Sequence, residues 1–174
     1  MNHSPAVVIR TYRGGSDAED TLRCFQAAII ETAGADYDPV QIVAWAGAAS
    51  ASEELDRDDL EAWDARRRAA HTVVADVDGG VVGFADFRDD AVLDMLFVHP
   101  DFGGRGVGRL LIETVQREAA AAGHTSLTTY ASRTARPVFE RLGFTVVAER
   151  PHNAVRGVTV PNYEMRWALD QSGS

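Results

Sequence analysis

The sequence predicts a mixed α/β fold, built on a central sheet with helices packed against it. Three observations predict it. Apolar residues recur at helical spacing in the first third of the chain and again from Val107. Between and after those stretches the apolar period falls to two, the spacing of strands. The segments run strand, helices, three strands, helix, strand, helix and two strands, which is not the even alternation of a doubly wound sheet.

Ala6 to Arg13 alternates apolar and polar residues and predicts a first strand. Ser16, with Glu19 three residues on, spells a capping box for a helix reaching Gly34. Asp38-Pro39 opens a second helix as cap and first residue, continuing through Ile42, Val43 and Trp45 to Gly47. A third is expected over Glu53 to Ala70, with Leu55, Leu60 and Trp63 apolar. His71 to Val77 and Val81 to Phe87 are strands joined by the turn sequence Asp78-Gly79-Gly80. Ala91 to Val98 is a third strand, stopped by Pro100. Val107 to Ala122 is a strongly amphipathic helix that Gly123 ends. Leu127 to Tyr130 reads as a strand, Thr134 to Leu142 as a short helix, and Phe144 to Ala148 and Val158 to Trp167 as the last strands. Residues 1–170 are expected to form a single domain, and 171–174 a loose tail.

Composition narrows the function. The chain has 174 residues and is 45% hydrophobic, enough for a packed core. Its formal net charge of −9 argues against wholesale nucleic-acid binding. Arg66-Arg67-Arg68 reads as a solvated helix face among acids. Cys24 is the one cysteine, read as a buried thiol. No run is long and apolar enough for a membrane span, and no signal-peptide pattern opens the chain, so a cytoplasmic location is expected. No set of side chains has metal-ligand spacing.

The most informative stretch is Leu96-Phe97-Val98-His99-Pro100-Asp101-Phe102-Gly103-Gly104-Arg105-Gly106-Val107-Gly108-Arg109. An apolar strand runs into a glycine-rich turn, and the turn into an amphipathic helix. The first turn of a helix has N–H groups without partners and a partial positive charge. Glycines let that backbone approach an anion closely. Arg105 and Arg109 add positive charge where the chain as a whole is negative. The P-loop spelling fails, because Gly108 is followed by Arg109-Leu110. The dinucleotide fingerprint fails as well, because Leu111 stands where its last glycine belongs.

LFVHPDFGGRGVGRLLIETVQREA resembles the acetyl-CoA signature of the GNAT acetyltransferases, and ASRTARPVFERLGFTVV resembles their next helix and strand. ADYDPVQIVAWA, TARPVFERLGF and RGVTVPNYEM resemble a bacterial subgroup of that family typified by YafP. The resemblance implies the GNAT fold: a mixed, mostly antiparallel sheet whose central strands splay. It implies acetyl-CoA as cofactor. Leu96, Phe97 and Val98 would pair with pantetheine, the turn Gly103, Gly104, Arg105, Gly106, Val107, Gly108 and Arg109 would hold the pyrophosphate, and Ser132 would touch pantetheine. Phe139 stands where many family members place a proton-donating tyrosine. Gly103 replaces the usual Gln or Arg.

An amine acceptor must lose a proton before it attacks a thioester. Asp94 is the candidate base. It is a lone carboxylate in an apolar run, and strand alternation places it with Val92 and Leu96, where burial would raise its pKa. Tyr130 is the candidate acid, although an ordinary strand aromatic is the plainer reading. Tyr37, Trp45, His71 and Asn162 are candidates for the acceptor pocket, each with a structural role as the alternative. The reading is an N-acetyltransferase acting on an amine of a small molecule or peptide. The alternative is a non-catalytic acyl-CoA sensor. Homodimers are common in proteins resembling this one, but no interface is legible.

Overall fold

The computed structural model describes residues 5–32, 37–46 and 56–170, and of Trp45 the backbone only. Strands β1 (Val8–Thr11), β2 (His71–Val77), β3 (Gly80–Phe87), β4 (Val92–Val98), β5 (Ser126–Ala131), β6 (Thr145–Arg150) and β9 (Asn162–Ala168) form one seven-stranded sheet in the order β1-β2-β3-β4-β5-β9-β6. Every pairing is antiparallel except that of β4 with β5. A separate two-stranded hairpin joins β7 (Ala154–Val155) to β8 (Val158–Thr159).

Helix α4 (Val107–Ala121) covers one face of the sheet. Its Val107, Leu111, Ile112, Val115 and Ala119 stripe is fully buried, and packs with Val73, Ala85, Leu93, Leu127 and Met165. It sits close because β3 offers Gly83 there. A Cβ on Gly83 would meet the Phe97 carbonyl at 3.1 Å and Leu111 at 3.2 Å. The other face carries α1 (Ala18–Thr32) and α3 (Arg57–Ala69), which bury Phe25, Ile29 and Trp63 against Val74 and Phe84. The Cys24 thiol is buried between α1 and the sheet, and burial pushes it up to about 12.

Three local readings change. Helix α1 is capped by Asp17 instead of Ser16: the Asp17 carbonyl accepts the first helical bond from Thr21, and its carboxylate takes the Arg10 guanidinium at 2.8 Å and the Arg13 N–H at 2.7 Å. Helix α3 starts at Arg57, capped by Asp56, where Glu53 was the expected start, while 53–55 lie outside the described residues. The expected strand Val158 to Trp167 is two, because Pro161, with no N–H for the ladder, separates β8 from β9. The hairpin of β7 and β8 is an element the sequence reading missed.

Helix α2 (Pro39–Ala46) begins as expected. Asp38 and Gln41 form a reciprocal capping box at 2.8 and 3.0 Å. Its partner is the β7–β8 hairpin, to which Gln41 Nε2 donates at the Thr159 carbonyl, while Arg156 donates to the Ala44 carbonyl. Tyr37 anchors this unit. Its buried hydroxyl donates to the Pro161 carbonyl at 2.9 Å and accepts the Arg133 N–H at 2.8 Å.

Candidate active site

Strand β4 pairs with β5 at Val92 and Leu93, opposite Thr128 and Thr129, and no further. From Leu96 to Val98 it stays on β3, opposite Ala85 to Gly83, so its other edge opens into a fork. The fork widens into a cleft of about 770 Å³. Leu96, Phe97 and Val98 form one wall, Ala28 and Ile29 of α1 another, and Ser132, Ala135, Val138 and Leu142 a third. Helix α5 (Arg136–Arg141) supplies part of that last wall.

The glycine-rich turn closes one end of the cleft. Gly104 and Gly106 have φ of +72° and +77°, and Gly106 is the left-handed residue from which α4 starts. The Gly103 N–H bonds to the Pro100 carbonyl, and the first helical bond of α4 runs from the Leu110 N–H to the Gly106 carbonyl. Between them, the N–H groups of residues 104–109 have no acceptor among the described residues. A Cβ placed on Gly104 or Gly106 would meet nothing within 4 Å, so the turn borders open space. The arrangement fits a diphosphate. Arg109 lines the cleft while paired to Glu113 at 2.7 Å, and Arg105 lies over the Phe102 ring at 5.2 Å. Gly103 lines the cleft too, and Val107 is both lining and core.

Ser132 lines the cleft and is buried, and its Oγ already accepts the Ala135 N–H at 3.0 Å. Phe139 is not a cleft residue. It is buried in the core, edge-on to Phe144 with centroids 5.1 Å apart, while Val138 faces the cleft in its place. A hydroxyl added there would find an apolar setting. Phe139→Tyr is expected to cost about 1–3 kcal/mol of stability and to leave turnover no faster, as thermal melting and steady-state rates would show.

Asp94 is not buried by alternation. On β3, Asp86 stands opposite Met95 while its neighbour Phe87 stands opposite Leu93, so Asp94 is the extra residue of a β-bulge. The bulge turns it outward. Its carboxylate is 40% exposed, with Arg88 at 3.9 Å. Tyr130 is exposed and lies under the Arg150 guanidinium at 4.6 Å. Both residues immediately follow the last register pair, Leu93 with Thr129, so each stands where the strands part.

The acceptor candidates are dispersed. Tyr37 is buried and committed to the two main-chain bonds described above. Asn162 begins β9 with its Oδ1 buried and unbonded among the described residues. His71 is exposed at the far end of β2, stacked on Phe87 and bonded through Nε2 to Asp89 at 2.8 Å, and it lines no part of the cleft. The Trp45 side chain lies outside the described residues.

A buried ion pair escaped the sequence reading. Arg67 is not part of a solvated face. It is buried under Trp63, with its guanidinium 4.7 Å from that ring, and its Nη1 reaches Asp86 Oδ2 at 2.7 Å. Burial pushes Asp86 up to about 6, against the opposing pull of Arg67. The signal was present: Leu60, Trp63 and Arg67 fall on one helical face.

A splayed parallel pair opening beside a glycine-rich helix start defines an acetyltransferase of the GNAT class, and the chain belongs to that family: residues 35–167 match the acetyltransferase (GNAT) domain. It is 32% identical over 161 residues to the uncharacterized N-acetyltransferase YafP of Escherichia coli, covering 92% of this chain and 95% of that one. The crystal structure of a GCN5-related N-acetyltransferase from Rhodopseudomonas palustris superposes with a TM-score of 0.83 at 34% identity, covering 96% of this chain and 97% of that one. The Salmonella typhimurium protein yncA, solved with its cofactor acetyl-CoA, shares the fold at a TM-score of 0.69 and 23% identity, with 97% of each chain covered. Among the described residues no helix is long and apolar enough to cross a membrane.

Proposed function

We propose that residues 1–170 act as one domain that transfers an acetyl group from acetyl-CoA directly to an amine of a small molecule or peptide. One observation carries the reading: the glycine-rich turn, whose N–H groups of residues 104–109 have no acceptor among the described residues, lines the end of a cleft that begins at the open edge of β4. Acetyl-CoA supplies the activated thioester. The turn amides, with the start of α4 and Arg109, bind its diphosphate. The unpaired edge of Leu96 to Val98 lays its amides along the pantetheine and places main-chain N–H donors where charge develops on the acyl oxygen. Asp94, exposed at the fork, takes the proton that an ammonium acceptor must lose. Tyr130, beside it, is the group that returns a proton to the leaving side.

Two measurements test this. Equilibrium titration should show acetyl-CoA binding in preference to ATP and NAD, and free CoA should appear when an amine library is supplied. A preference for ATP would overturn the reading. Asp94→Asn is expected to lower kcat by about 10²-fold or more near neutral pH with the acetyl-CoA Kd unchanged. Full activity of that variant at every pH would remove Asp94 as the base.

A further inference from the structure

Asp86 and Arg67 have no place in the proton transfers above, yet they are buried at the point that shapes the cleft. Asp86 is fully buried in β3, opposite Met95. Among the described residues, no well-directed hydrogen bond reaches either carboxylate oxygen. The Arg67 guanidinium is the main group that steadies the charge, and the Met95 main-chain N–H adds to it from across the ladder. Met95 is the first residue past the bulge, and the bulge residue, Asp94, is the first that β5 no longer pairs with. The bulge, the parting of the strands and the buried charge therefore coincide.

We propose that Asp86, held by Arg67, is a positioning residue that fixes the course of β4 from Met95 to Val98 and so sets the width of the fork. A bulge gives up ladder bonds, and a one-residue slip across it would turn every following side chain to the opposite face. Met95 and Phe97 now face α1 and α3, while Leu96 and Val98 face α4. Slipping β4 would carry the Met95 main-chain N–H away from the buried Asp86 carboxylate that it and Arg67 steady together, a loss the interior resists strongly. An apolar pair could fill the same volume, but it would not select the register. The inference rests on acetyl-CoA occupying the cleft.

Asp86→Asn alone strands the Arg67 charge and loses stability, so the double variant Arg67→Met/Asp86→Leu carries the test. It removes both charges and keeps the volume. It is expected to melt close to the wild type, yet to bind acetyl-CoA more weakly and to lose about 10²-fold in kcat/KM, because small misplacements of a binding edge cost that much. The amide resonances of Leu96 to Val98 should shift in the same variant without ligand. A double variant that melts, binds, turns over and resonates like the wild type overturns the proposal. So does one that fails to fold, since the pair then serves the fold alone. If the wild type itself does not bind acetyl-CoA, the cleft reading fails instead, and the unliganded amide resonances still decide whether the pair sets the fork.

Discussion

Gly106→Val is expected to raise the Kd for acetyl-CoA by about 10²-fold or more while the protein still folds. Gly106 sits at φ +77°, a left-handed conformation that a β-branched residue adopts only under strain of about 1–3 kcal/mol. The fold has room for the side chain, because a Cβ there meets no atom within 4 Å. That room lies at the turn whose amides of residues 104–109 have no acceptor among the described residues. A valine would stand in front of the donors and tilt the turn that presents them. Charge-assisted hydrogen bonds contribute about 1.5–3 kcal/mol each, so losing one or two accounts for a change of this size. Gly106→Ala should show the strain with less of the obstruction. Calorimetric titration and thermal melting separate the two effects, and a folded Gly106→Val protein that binds acetyl-CoA normally would count against the cradle.

The second large effect is on stability. Arg67→Met is expected to cost about 3–5 kcal/mol, because it leaves Asp86 buried without its counter-charge. For a chain of this size that lowers Tm by about 6–20 °C. The deficit should shrink in acid. With its folded pKa raised to about 6, above the ordinary carboxylate value, Asp86 favours folding most below pH 4 and loses that contribution as pH rises through 6. Without the pull of Arg67 the variant's Asp86 holds its proton to still higher pH, and a protonated Asp86 needs no guanidinium, so wild type and variant should converge as pH falls from the alkaline side toward 6. Melting curves across that range check the sign, and a gap that widens toward low pH would contradict the assignment.

The elements that repeat over many residues were legible in the sequence. Helix α4, the Asp78-Gly79 hairpin and the Asp38 cap follow from spacing and turn chemistry and stand where they were expected, although in the α4 stripe the expected Leu110 is exposed and Ile112 is buried instead. The glycine-rich turn was legible because its conformation depends on the glycines themselves. What escaped depends on contacts between distant segments. Alternation placed Asp94 inside, since a period-two rule has no means of locating a bulge that only the β3 register reveals. Phe139 and Val138 are adjacent apolar residues on a short helix, and only the packed sheet decides which one meets Phe144 and which one the cleft. Three consecutive arginines looked solvated because the carboxylate that claims Arg67 lies 19 positions away, in β3.

The phenol of Tyr37 spans three stretches of chain. It holds the carbonyl of Pro161, just before β9, and the amide of Arg133, whose neighbour Ser132 lines the cleft. Helix α2 with its hairpin is thus tied, through one oxygen, to the wall of the cleft. That single phenol is the hinge pin between the two segments, so a change in the chain around α2 would be felt at the cleft wall beside Ser132.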